Sequence, residues 1–119
     1  MAVIVYIADT EYHLVVKSED ELILTGTRGA EYPGTRDPAD PTLYTFNYRN
    51  GRPLKTRHTN KPVRMRHIDG RYVAALIYTA YIDAGGGRTR QITFEATGYR
   101  DAVAIAERHA NRRPIRRLI

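Results

Sequence analysis

Two dipeptides, Asn50-Gly51 and Asp69-Gly70, each stand between runs in which apolar and polar residues alternate, and nothing else in the chain restricts its fold as strongly. A two-residue hairpin turn of the type I′ kind needs positive φ at both central positions, which Asn, Asp and Gly accept most readily, and its twist matches that of the strands it joins. The sequence therefore predicts two antiparallel hairpins. "TLYTFNYR" enters the first with Tyr44, Phe46 and Tyr48 on one face, and "RPLKTRH" returns, with Pro53 pushing it toward a sheet edge. "PVRMRHI" enters the second and "RYVAALIYTAYI" returns; that run is apolar on both faces and reads as a central strand.

Register follows from the second turn. Pairing Ile68 with Arg71 sets Val63, Met65 and His67 on one face with Tyr72, Ala74 and Leu76, and leaves Arg64 and Arg66 on the other. "RTRQITFE" alternates again, and Ile92 and Phe94 reach the apolar face when they lie opposite Tyr78 and Leu76, which leaves 83–87 as a five-residue bend. Gly85, Gly86 and Gly87 then serve the bend, because a phosphate-gripping glycine loop would run into a helix and here a strand follows. The opposite face carries Arg64, Arg66, Thr79, Tyr81, Thr89, Gln91 and Thr93, with Arg88 at the bend; Glu95 and the apolar Val73, Ala75 and Ile77 interrupt it. Forked donors mixed with short hydroxyls suit a nucleic-acid groove, the arginines taking phosphates or guanine edges, and they equally suit an ordinary solvated sheet face.

Upstream, the β-branched runs at 2–9, 12–17 and 21–27 fit a meander of two or three strands. Residues 27–41 hold three prolines and two glycines, so no regular element is expected there, only a long surface loop or a linker, and the length of the chain favours the loop. Downstream, Thr97 is a candidate N-cap for a helix whose apolar stripe is Tyr99, Ala102, Val103, Ala106 and Ala110. Pro114 ends it, and "PIRRLI" returns as an edge strand or remains a basic tail. At 119 residues the expectation is a single α+β domain: mainly antiparallel sheet built from hairpins, with one C-terminal helix packed on a sheet face. Its parts are an acidic meander (1–26), the long loop (27–41), basic hairpins (42–95), the helix (98–111) and a basic tail (112–119).

Charge divides along the chain, with 4 basic and 8 acidic side chains in residues 1–50 but 15 basic and 5 acidic in residues 51–119. The second portion has the footprint of a polyanion binder, although small arginine-rich proteins are also basic for solubility alone. No apolar run approaches the roughly 20 residues of a membrane span, and "MAVIVYIADT" lacks a basic flank and a cleavage site, so a soluble, cytoplasmic protein without a membrane partner is expected. The absence of cysteine excludes disulfides, thiolate metal sites and cysteine nucleophiles, and the four histidines lack metal-pair spacing. No metal and no cofactor is expected.

Residues 62–111, with "DGRYVAALI", a glycine-rich bend and "RQITFEATGYRDAVAIAERHA", read as three antiparallel strands followed by one helix. This arrangement resembles the arm-site DNA-binding domains at the N-termini of phage and transposon tyrosine recombinases, and the related plant ethylene-response DNA-binding domains. The resemblance implies a sheet inserted into the major groove, with Arg64, Arg66 and the face running from Thr79 to Thr93 as its contacts. The aromatic residue those domains carry on their first strand is matched only by Tyr72, and no recombinase catalytic region accompanies it.

The leading expectation is a small, non-enzymatic nucleic-acid-binding protein of phage or mobile-element type, with DNA favoured over RNA. Tyr44 and Tyr48 are candidate platforms for stacking single-stranded bases, or simply one side of the core. The alternative is a protein-binding accessory or inhibitor, a phage-type factor acting on a host protein through the basic face or the acidic meander and loop. The third is a small ribonuclease with His58 as base, Arg57 on phosphate and Thr59 alongside, near Tyr44 and Tyr48.

Overall fold

A computed structural model describes residues 2–119. Strands β1 (Ala2–Ile7), β2 (Thr10–Val16), β3 (Glu21–Gly26), β4 (Glu31–Arg36), β5 (Leu43–Phe46), β6 (Arg64–Ile68) and β7 (Arg71–Ala74) form one antiparallel meander, in chain order. Strands β8 (Leu76–Gly85), β9 (Arg88–Ala96) and β10 (Ile115–Leu118) form a second sheet in the order β10-β8-β9, with helix α1 (Tyr99–Ala110) between β9 and β10. The chain is α+β, mostly antiparallel sheet with one C-terminal helix, and its contacts divide it into two compact units, one ending at Ala75 and one spanning Leu76–Ile119.

The first unit begins with the expected meander. Its first turn is Ala8-Asp9, both residues at positive φ, so Ile7 pairs with Thr10 and the alternation places Ile7, Tyr12, Leu14, Leu22 and Leu24 on the buried face. The segment expected to be irregular contains a strand, β4. Two features make this workable despite Pro33 and Gly34. The Pro33 carbonyl accepts from Asn47 N–H, so its missing donor points to the side where the ladder with β5 ends, and the pairing of Pro33 with Ile23 loses nothing. Gly34 pairs with Phe46, whose ring lies where a β-carbon on Gly34 would be.

The Asp69-Gly70 turn forms as expected, both residues at positive φ, pairing Ile68 with Arg71 and Met65 with Ala74. Asn50-Gly51 does not. Only Gly51 has positive φ; Gly51 N–H donates to Tyr48 C=O and Tyr48 N–H to Arg52 C=O, a three-residue loop with a glycine bulge. Leu54 N–H then reaches Phe46 C=O, so Leu54 shares the buried face with Phe46. A two-residue turn would slip the return by one position and send Leu54 to solvent, so burial of Leu54 selects the bulge. The return makes only isolated bridges, Asn47 with Pro53 and Lys55 with Pro62.

The run expected to be one central strand, "RYVAALIYTAYI", breaks at Ala75 and serves both sheets, which is why it is apolar on both faces. Val63 and Met65 therefore belong to a different unit from Leu76, Phe94 and Val103, with which a common core was expected. In the second unit Tyr78 pairs with Phe94, Ala80 with Ile92 and Ile82 with Arg90, two residues away from the expected register. The turn is Gly86-Gly87, and the slack is taken up by a bulge between Asp83 and Gly85. An even slip preserves the faces, so Ile92 and Phe94 still pack inward, with Ala80, Ile82, Ala106, Ala110, Ile115 and Leu118. The N-cap is Gly98 and not Thr97; Asp101 instead reaches back, its carboxylate accepting from Thr97 N–H at 2.9 Å. Alanines at 102, 106 and 110 bring the helix close to the sheet, while Tyr99, expected in the stripe, is exposed.

Candidate nucleic-acid interface

Because Ile82, Ala80 and Tyr78 point toward α1, their neighbours on β8 point to the opposite face of the small sheet. Asp83 lies opposite Thr89, Tyr81 opposite Gln91, and Thr79 opposite Thr93, the last two sharing a hydroxyl hydrogen bond of 3.2 Å. Five of these six, Thr79, Tyr81, Thr89, Gln91 and Thr93, are expected site residues, and they share one face; Asp83 was not among those expected. Thr89, Gln91 and Thr93 are exposed, Thr79 and Tyr81 half-buried.

The third strand of this face is not the one the sequence suggested. Strand β10 takes the place expected for the "PVRMRHI" strand: Arg117 pairs with Tyr81, and Ile119 exchanges backbone hydrogen bonds with Thr79. Arg116, at a bulge, reaches Asp83 at 3.4 Å. The segment 114–119, expected as an edge strand or a basic tail, thus forms an edge strand, and it carries two arginines onto the polar face.

The same end of the unit gathers further arginines. Arg88 pairs with Gly85 across the hairpin tip, and the Arg113 guanidinium lies over Gly85, 3.1 Å from where a β-carbon would stand. Arg112 and Asn111, both at positive φ, make the tight reversal out of the helix. Arg90, on the helix side, donates to His109 C=O at 2.8 Å and satisfies one of the carbonyls that a helix C-terminus leaves open. Residues 76–119 contain eight arginines and no lysine against four carboxylates, Asp83, Glu95, Asp101 and Glu107.

Arg64 and Arg66 are not on a strand of this sheet; both are on β6, in the seven-stranded sheet of the first unit. Arg66 is committed there, its Nη1 donating to Asp40 at 2.7 Å and to the Thr42 hydroxyl at 2.6 Å. This bond, with the hydroxyl and N–H of Thr42, holds the Asp40 carboxyl down to about 2. Arg64 is half-buried opposite Thr45. The two tyrosines proposed for stacking separate as well. Tyr44 is buried, its hydroxyl donating to Glu19 C=O and its ring edge-on to Tyr72, so no base can reach it. Tyr48 is 41% exposed and remains accessible. Burial of Tyr44 likewise dissolves the grouping of Arg57, His58 and Thr59 with both tyrosines, and Thr59 is engaged with the Thr56 hydroxyl.

The arginines of β10 and the helix exit escaped sequence reasoning because pairing of Arg117 with Tyr81 spans the whole helix; the alternation in "PIRRLI" after a helix stop was the available signal. Among the described residues no three His, Asp or Glu side chains converge as metal ligands, and no helix is long and apolar enough to cross a membrane. Compared with models of known protein families, with curated proteins and with solved structures, the chain matches none.

Proposed function

We propose that this protein is a non-catalytic nucleic-acid-binding protein that meets duplex DNA with the outer face of its three-stranded sheet and the arginine-rich end beside it. The observation that carries this reading is the return of β10, which sets Arg117 beside Tyr81 and Arg116 beside Asp83 at the edge of the face that Thr79, Gln91 and Thr93 continue. Guanidiniums at the edge suit phosphates, which fix register, while hydroxyl and amide side chains across the middle suit base edges. DNA is favoured over RNA because the major groove of B-form DNA admits strands, whereas that of A-form RNA is too deep and narrow for side chains to read. Titrating a short DNA duplex into isotope-labelled protein at low salt tests this. Amide shifts should concentrate at Tyr81, Gln91, Thr93, Arg117 and the Gly86–Arg88 tip. Shifts confined to residues before Leu76, or none, would overturn it.

A second reading has its own support in β1. It is a sheet-edge strand with Val3 and Ile4 each 55% exposed and Tyr6 65% exposed, the kind of edge that accepts a strand from another protein. An Ile4→Lys substitution would block such pairing and leave DNA binding untouched.

A further inference from the structure

We propose that the first unit holds a separate site for single-stranded nucleic acid, in which an unpaired base stacks on Tyr48 and the neighbouring phosphates lie against Arg28, Arg49, Arg52 and Arg57. Two clefts, of about 580 Å³ and 420 Å³, meet here and share Ala30, Tyr32 and Tyr48 as a common wall. Each is within the size that small-molecule sites occupy, roughly 300–1,000 Å³. The wall continues inward as a ladder of rings: Tyr48 meets Tyr32 edge to face with centroids 5.5 Å apart, and Tyr32 meets Tyr12 at 6.5 Å. An edge-to-face neighbour uses at most one face of a ring, and Tyr48 is the exposed end of the ladder.

Around it stand five cations, Arg28, Arg49, Arg52, Lys55 and Arg57, against two carboxylates, Glu11 and Glu31, and Glu11 is already held by the Tyr6 hydroxyl at 3.1 Å. The β3–β4 turn supplies Arg28 and the glycine-bulge hairpin supplies Arg49 and Arg52, so these charges come from segments distant in sequence. An accessible aromatic face ringed by arginines is the combination that takes single strands without regard to sequence, since every base offers a π-face and every linkage a phosphate. An intact duplex cannot use it, because its bases already stack on one another.

This site stands independently of the duplex interface, and the test separates them. Affinity of the full chain is measured for the pentanucleotides dT5 and rU5 and for an abasic deoxyribose-phosphate pentamer of the same charge. The site predicts that at least one pentanucleotide binds more tightly than the abasic chain. Tyr48→Ala should weaken that binding roughly 5- to 150-fold, to the abasic level, with Tyr48→Phe retaining it and both variants melting as the wild type does. Arg117→Ala should leave pentanucleotide affinity unchanged while weakening duplex binding. Equal affinity for abasic and base-bearing pentamers, binding of neither, or a Tyr48→Ala variant that is folded and binds as the wild type, would each overturn the proposal. Preference between dT5 and rU5 identifies the sugar.

Discussion

A methyl group on Gly34 would collide with the ring of Phe46, which is itself 1% exposed at the centre of the larger sheet. The ring has nowhere to move, so Gly34→Ala should cost about 1–3 kcal/mol in denaturant unfolding. Gly26, where the added β-carbon meets Tyr32 at 3.7 Å and the Ala30 carbonyl oxygen at 3.9 Å, both ordinary van der Waals contacts, should tolerate the same change far better. Asp40 offers a residue-level test of a different kind. Its carboxyl is lowered from 3.8 to about 2 chiefly by the Arg66 guanidinium. Since the folded form is the stronger acid, the pairing contributes stability above about pH 4 and loses it as pH falls toward 2. NMR titration of the carboxyl carbon should give a midpoint near 2, and Arg66→Ala should move it up toward the ordinary value. A midpoint in the wild type already at that ordinary value would mean that Arg66 is not committed to Asp40, and would return Arg66 to the pool of available cations.

At the scale of elements, what could be read in sequence was what local chemistry decides. Asp69-Gly70 specified its turn and its register because both residues accept positive φ and Met65 and Ala74 both need burial. Asn50-Gly51 is the same signal with a different outcome, because a residue beyond the turn, Leu54, is 2% exposed only in the bulged register. The division of "RYVAALIYTAYI" between two sheets was invisible, since a strand that changes partners and a strand buried on both faces have the same pattern. Of the candidate interface, the Thr79–Thr93 face was legible because side-chain alternation survives an even slip. The strand at its edge was not, because a four-residue strand declares no partner. The glycine tip yields a sharp prediction. Gly86 and Gly87 occupy both central positions of the turn at positive φ. Gly86→Asn should leave stability unchanged or raise it by a few tenths of a kcal/mol, whereas Gly86→Val should cost about 1–3 kcal/mol. Thermal unfolding distinguishes the two, and equal losses for Asn and Val would point to a contact needing the bare backbone.

For the molecule as a whole, the acidic and basic portions of the sequence are not portions of the structure. The boundary between compact units lies at Ala75, well inside the basic portion, and Arg28 from the acidic portion lines a cleft with Lys55 and Arg57 from the basic one. Net charge therefore says little about where a polyanion would bind; commitment of each arginine says more. Arg66 is held by Asp40 and Arg36 by Asp20 at 2.8 Å, whereas Arg117 stands exposed on the polar sheet face and Arg113 at the hairpin tip. Salt dependence of duplex-DNA affinity counts the uncommitted arginines that reach phosphate, because each phosphate contact adds about 0.9 to the slope of log affinity against log salt. The wild type should show a steep slope, flattened by about one unit in Arg113→Ala and again in Arg117→Ala, and unchanged in Arg66→Ala. A wild-type affinity indifferent to salt, or a slope that Arg66→Ala flattens while Arg113→Ala and Arg117→Ala do not, would contradict this reading.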